Sequence, residues 1–131
     1  MRHLVYILVL FTILSCSGDD DTVLISSNLE GVWNLTNISG GFVGINKDFK
    51  KGIITWDFNE ANKTVKITNK DLDNQYGLLS PGTYTYKMVK KEDKEELVIN
   101  DMIISYFKRV TTSKFIIDEE PIDGFRYIFE R

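Results

Sequence analysis

An all-β domain, built as an eight-stranded antiparallel up-and-down β-barrel, is the fold class predicted for this chain, and three observations predict it. Beyond residue 28 the apolar residues recur with period two, which puts alternate side chains on opposite faces of a strand. No segment there sustains a 3.6-residue apolar stripe, so no helix has a face to bury. Clusters of Gly, Pro, Asn and Asp separate the alternating runs, as turns between strands require.

Taken in order, the first strand, 31–38, begins at Gly31 and stops at Ser39-Gly40-Gly41. The second, 52–58, begins at Gly52 and stops at the polar turn Asn59-Glu60-Ala61-Asn62. The third, 63–69, contains the clean alternation Val65-Lys66-Ile67 and runs out into Asn69-Lys70-Asp71-Leu72-Asp73-Asn74. Pro81-Gly82 opens the fourth, 82–89, in which Thr83-Tyr84-Thr85-Tyr86-Lys87-Met88 alternates aromatic with polar. Lys90-Lys91-Glu92-Asp93-Lys94 separates it from the fifth, 95–99, and a turn at about residue 100 leads into the sixth, 101–108. The seventh, 113–118, follows residues 109–112, and the eighth, 124–131, carries Phe125-Arg126-Tyr127-Ile128-Phe129.

Loop length points to architecture. With strands running alternately up and down, the connections 39–51, 70–81, near 100 and 119–123 share one end, and 59–62, 90–94 and 109–112 share the other. Both long connections therefore fall at one end, which gives a cup with a tight base and a mouth of longer loops. A two-sheet sandwich is the alternative that the same strand spacing permits, and pairing of the last strand with the first separates the two.

Eight strands enclose an interior that is either filled by side chains or just able to hold one small ligand. The inward candidates are Trp33, Trp56, Phe58, Tyr84, Tyr86, Met88, Tyr106, Phe115, Tyr127 and Phe129. Aromatic rings in small barrels commonly serve as packing. The mouth connection Ser39-Gly40-Gly41-Phe42-Val43-Gly44-Ile45-Asn46-Lys47-Asp48-Phe49-Lys50-Lys51 joins glycine freedom to four large apolar residues. It is read either as a lid over an apolar guest or as a plug, since unstructured loops of this length are usually functional. Phe42, Phe49, Trp56, Tyr84, Tyr86 and Tyr106 are the candidate ligand-binding residues, with Tyr76, Leu78, Leu79 and Ile122 around the same rim.

The N-terminal region carries an address. Met1-Arg2-His3, an apolar core from Leu4 to Leu14 and the run Ile13-Leu14-Ser15-Cys16 form a secretory signal with a small-residue cleavage site. Its apolar core is short against the about 20 residues that span a bilayer. The run up to Cys16 resembles a bacterial lipobox, which implies cleavage before Cys16 and acyl chains, palmitate among them, on its sulfur and amine. Two or more chains make a durable anchor where one is marginal. Ser17-Gly18-Asp19-Asp20-Asp21 resembles the acidic export signal of Bacteroidota lipoproteins, which implies an outer-membrane protein displayed at the cell surface. The expected organisation is a signal at 1–15, a lipidated acidic tether at 16–27 and a single domain at 28–131.

Composition closes several branches of chemistry. The formal charge is −3, and loss of Arg2 with the signal makes it −4, whereas a nucleic-acid binder concentrates basic residues on one face. Cys16 is the single cysteine and His3 the single histidine, so the domain has no thiol or imidazole for a structural zinc site or a triad. Two carboxylates suffice to cleave a glycoside, but no spacing suggests such a pair. Residues 69–74 place oxygen ligands at calcium-like intervals without the Gly and distal Glu of the calcium loop, and read as a polar loop. No enzyme, metal site or cofactor is expected.

Ser27-Asn28-Leu29-Glu30-Gly31-Val32-Trp33-Asn34-Leu35 resembles the Gly-X-Trp opening of the lipocalin and wider calycin group. The resemblance spans 27–131 and is nearest to lipocalin-like domains of bacterial lipoproteins. It implies that Trp33 packs across the barrel base and that a late-strand Arg, here Arg131, lies over it. Closure places the two side by side independently, because the eighth strand ends where the first begins. The chain is shorter than a typical secreted lipocalin and lacks a second cysteine for the usual disulfide, so a capacious cavity is not implied. The function expected from the resemblance is a membrane-anchored lipoprotein whose barrel binds a hydrophobic small molecule at its mouth. The alternative is a filled barrel that acts as a cell-surface protein-interaction module.

Overall fold

The structure, a computed structural model, describes residues 22–71, 73, 78–119 and 123–131. Cys16, the signal, and the rim candidates Tyr76 and Ile122 lie outside the described residues. Ten strands follow one another: β1 (Thr22–Ile25), β2 (Gly31–Gly40), β3 (Ile45–Asp48), β4 (Ile54–Asn59), β5 (Thr64–Asn69), β6 (Gly82–Lys91), β7 (Lys94–Ile99), β8 (Met102–Thr111), β9 (Lys114–Asp118) and β10 (Phe125–Glu130).

Eight of these, β2 and β4 to β10, form a closed antiparallel barrel with each strand beside its chain neighbour. Its seam is β10 on β2, from Phe125 opposite Gly40 to Glu130 opposite Asn34. That pairing rules out the sandwich. Closure leaves the wall without a free edge, which removes the hazard of unpaired backbone groups.

Both additional strands patch gaps in the wall. β2 is ten residues long and its neighbour β4 covers only Gly31 to Asn34, so β3 pairs with Asn37 to Gly40 and continues the same line. β6 is also ten residues long, and β5 covers only Gly82 to Thr85. β1 pairs with Met88 to Lys91, beyond the end of β5. Residues 22–25, read from sequence as part of the tether, are thus a strand of the sheet, and 45–48, read as loop, are another.

The alternating pattern lands where period two requires. Ile54, Trp56 and Phe58 point inward from β4, and Tyr127 and Phe129 from β10, while Asp57, Asn59 and Arg126 face solvent. β8 corrects one expectation. Ser105 and Phe107 are its buried residues, so Tyr106, expected inside, stands on the outer wall at 38 % exposure. The segment Met102-Ile103-Ile104-Ser105-Tyr106-Phe107 has no clean alternation, and a one-residue shift of register exchanges the faces.

Base and mouth are built differently. Leu29, fully buried, closes the base and accepts a hydrogen bond at its carbonyl from Trp33 Nε1, 2.8 Å away. Arg131 lies over Trp33 with its guanidinium carbon 4.1 Å from the ring centroid, the arrangement expected from closure. The β7–β8 hairpin turns on Asn100 and Asp101, both at positive φ, the backbone that a two-residue turn of matching twist demands.

Candidate functional site

The interior is packed with rings. Trp33 meets Phe115 edge-on at 4.6 Å between centroids, Phe115 stacks on Phe129 at 4.7 Å, and Phe129 leans on Trp56 at 4.9 Å. Phe58 continues the chain to Tyr86 at 4.9 Å. Such pairs add about 0.5–1.5 kcal/mol each beyond their buried area. Ile53, Leu78, Leu79, Tyr84, Ile104 and Phe125 pack half-buried against this cluster.

The mouth is dominated by the β2–β3 hairpin rather than by the free loop expected. Its tip, 41–44, is set by Gly40, Gly41 and Gly44, all at positive φ, and the Gly44 N–H donates to the Gly41 carbonyl at 2.9 Å. The Gly41 N–H donates to the Gly124 carbonyl at 3.0 Å, which ties the hairpin to the start of β10. A side chain at Gly40 would lie 2.5 Å from the Gly124 oxygen, so the two backbones approach this closely because Gly40 has no Cβ.

The six ligand-binding candidates do not converge on one place. Phe42 sits on the hairpin tip, 89 % exposed beside Val43 at 86 %. Phe49 turns back against the core, with Lys47 Nζ 5.0 Å over its ring and paired to Asp71 at 3.0 Å. Trp56 is enclosed in the ring cluster. Tyr84 is half-buried and donates its hydroxyl to the Ser80 carbonyl at 2.8 Å. Tyr86 lies at the base, and Tyr106 lies outside under Lys94 Nζ, 4.4 Å from its ring centroid. Phe49, Tyr84 and the rim residues Leu78 and Leu79 share the property of packing half-buried against the core.

Sequence reasoning missed the polar knot under the base. Ser27, buried, donates to Glu60 Oε1 and lies 3.3 Å from the Tyr86 hydroxyl. The same carboxylate accepts the Leu29 N–H at 2.8 Å and holds Lys63 at 2.5 Å. Arg109 Nη2 donates to the Ser27 carbonyl at 2.6 Å. Burial opposes ionisation of Glu60, but hydrogen bonds from Lys63, Ser27, the Leu29 N–H and Tyr86 outweigh it and bring its pKa down to about 2. Burial first, and the neighbouring Glu60 charge, push the Tyr86 hydroxyl up to about 12. The knot therefore clamps residues 27–29 across the barrel floor. One local sign was available for the floor residue: Leu29 is the apolar residue just before the Gly31-Val32-Trp33 motif.

Comparison with protein families, with curated proteins and with solved structures finds no match for this chain. The fold itself defines the class: a small closed eight-stranded up-and-down barrel with a clamped floor.

Proposed function

We propose that this chain is a lipoprotein anchored through acyl chains on Cys16 at the outer membrane, exposed at the cell surface, whose filled barrel docks a protein partner with its mouth hairpin. One observation carries the docking reading: rings fill the interior while Phe42 and Val43, on a glycine-flanked tip bonded to Gly124, are turned out to solvent. A well-packed interior has no voids much larger than a water, so apolar cargo would have to displace side chains. The anchor is supported by the Ser15-Cys16 run and the Asp19-Asp20-Asp21 segment behind it. The likeness to lipocalins is supported by the Arg131 contact over Trp33.

A second reading has an observation of its own. Phe49, Leu78, Leu79 and Tyr84 each pack half-buried against the core and keep apolar surface that a hydrophobic small molecule would use. Native mass spectrometry of the purified chain, after exposure to a total bacterial lipid extract, decides between the two. Docking predicts the bare mass; a discrete adduct that disappears in Phe49→Glu establishes the carrier instead. Radiolabelled palmitate incorporated by the wild-type chain and absent from Cys16→Ser tests the anchor separately.

A further inference from the structure

The outer wall over β8, β9, β10 and β2 carries two rows of residues that the barrel brings side by side. Register aligns Tyr106, Asp118, Arg126 and Ser39 in one row, and Lys108, Ile116, Ile128 and Asn37 in the next. All face outward, since Phe107, Phe115, Ile117, Tyr127, Phe129 and Ile38 occupy the inner positions. Three depressions follow these rows. One of about 480 Å³ is bounded by Lys94, Tyr106, Lys108 and Arg109. The next, about 300 Å³, shares Tyr106 and Lys108 and adds Ile116, Asp118 and Arg126. The third, about 220 Å³, shares Asp118 and Arg126 and reaches Ser39 and Gly40. Shared walls join the three into a single groove.

We propose that this groove binds an extended oligosaccharide bearing carboxylate groups, a uronate glycan. Three features select that chemistry. First, every strand beneath the groove is paired on both sides, so a peptide finds no edge on which to add a strand and the ligand is held by side chains alone. Second, the surface alternates apolar patches, Tyr106 and half-buried Ile116, with Arg126, Asp118 and Ser39. Sugar rings alternate apolar C–H faces and hydroxyls in the same way, and linked rings suit linked depressions. Third, charge leans toward an anion: with Arg126 paired to Asp118, the lining keeps Lys94, Lys108 and Arg109 against Asp93 and Glu95, one positive charge in excess on a chain whose formal charge is −3. The Arg126–Asp118 pair is held by bonds of 2.8 and 3.0 Å from Nη2 and Nε, and Arg109 reaches the Ser27 carbonyl, so Lys108 and Lys94 are the ammonium groups of the described lining, with Asp93 and Glu95 confined to one end. Lys108, exposed between the first two depressions, is the residue placed to meet a carboxylate.

The test is calorimetric titration of the purified full chain in detergent with tetrasaccharides of galacturonate, guluronate and hyaluronan, beside neutral cellotetraose and the acidic peptide tetraglutamate. At least one uronate tetrasaccharide is expected to bind at micromolar to millimolar concentration and to weaken as salt is raised. Lys108→Glu should weaken that binding tenfold or more and Tyr106→Ala about tenfold, with unchanged circular dichroism spectra. Lys66→Glu, on the exposed face of β5, should leave it unaltered. Failure of all three uronates to bind, equal binding of cellotetraose or of tetraglutamate, or indifference to Lys108→Glu would each overturn the proposal.

Discussion

Trp33 and Arg131 show how much a single contact can report. The indole is fully buried, bonded to the Leu29 carbonyl and faced by Phe115, so Trp33→Ala loses a large core volume and should cost about 3–5 kcal/mol. Arg131 is exposed and contributes its face to the ring, a contact of about 0.5–2 kcal/mol. Thermal melts should therefore show Trp33→Ala unfolded or nearly so, and Arg131→Ala folded with a Tm several degrees lower. An unchanged Tm for Arg131→Ala would remove the stack from the account. Glu60 belongs to the same scale. Its folded pKa lies below the unfolded value, so its contribution is complete above about pH 4.5 and is lost as pH falls toward about 2. Its carboxylate remains partly solvated, which screens the gain to about 1 kcal/mol. Urea midpoints measured from pH 6 down to pH 2.5 should fall for the wild type more steeply than for Glu60→Gln, which starts lower and converges on it.

Among elements, the β2–β3 hairpin and β1 were hidden in the sequence for different reasons. The segment 39–51 reads as a glycine-rich loop because Asn46, Lys47 and Asp48 have no apolar alternation, yet β2 offers Asn37 to Gly40 as an unpaired edge that β3 satisfies. The junction depends on missing side chains. A Cβ at Gly124 would lie 2.5 Å from the Glu119 carbonyl oxygen, a backbone atom that cannot yield without moving the strand end. Gly124→Ala should destabilise by about 1–3 kcal/mol, whereas Gly44→Ala, with open space around it, meets only the strain of its positive φ and should cost about 1–2 kcal/mol. Urea denaturation would measure both losses, and a Gly124→Ala midpoint equal to that of the wild type would exclude the close approach. β1 is short and three of its four residues are exposed, so it resembles a tether locally. Chains starting at Ser26 should remain folded, and hydrogen exchange should show those amides of Met88 to Lys91 that face β1, rather than β7, losing protection while those in β4 keep theirs.

For the molecule as a whole, closure and one continuous core mean that no strand can leave alone. Rings from β2, β4, β6, β8, β9 and β10 touch one another, so unfolding should be a single transition in which tryptophan fluorescence and far-ultraviolet circular dichroism coincide. Separated transitions would mean that the mouth hairpin or floor melts independently. All eight barrel strands, their up-and-down order and the Trp33–Arg131 contact were legible in the chain, because period two, turn residues and the geometry of closure are local or topological facts. The candidate site was less legible: Phe42 and Trp56, grouped by their apolar character, ended at a solvent-facing tip and inside the core. Even the side of Tyr106 had a sign, for Lys108 shares its parity and belongs outside. The amino-acid sequence thus determined the eight barrel strands, their order and the faces of those with clean alternation. Tertiary structure alone decided that Glu60 meets Ser27, that Gly40 meets Gly124, and that Tyr106, Asp118, Arg126 and Ser39 form one row. Those neighbours come from strands distant in the chain, and their register is set by bulges and pairings that no local pattern encodes.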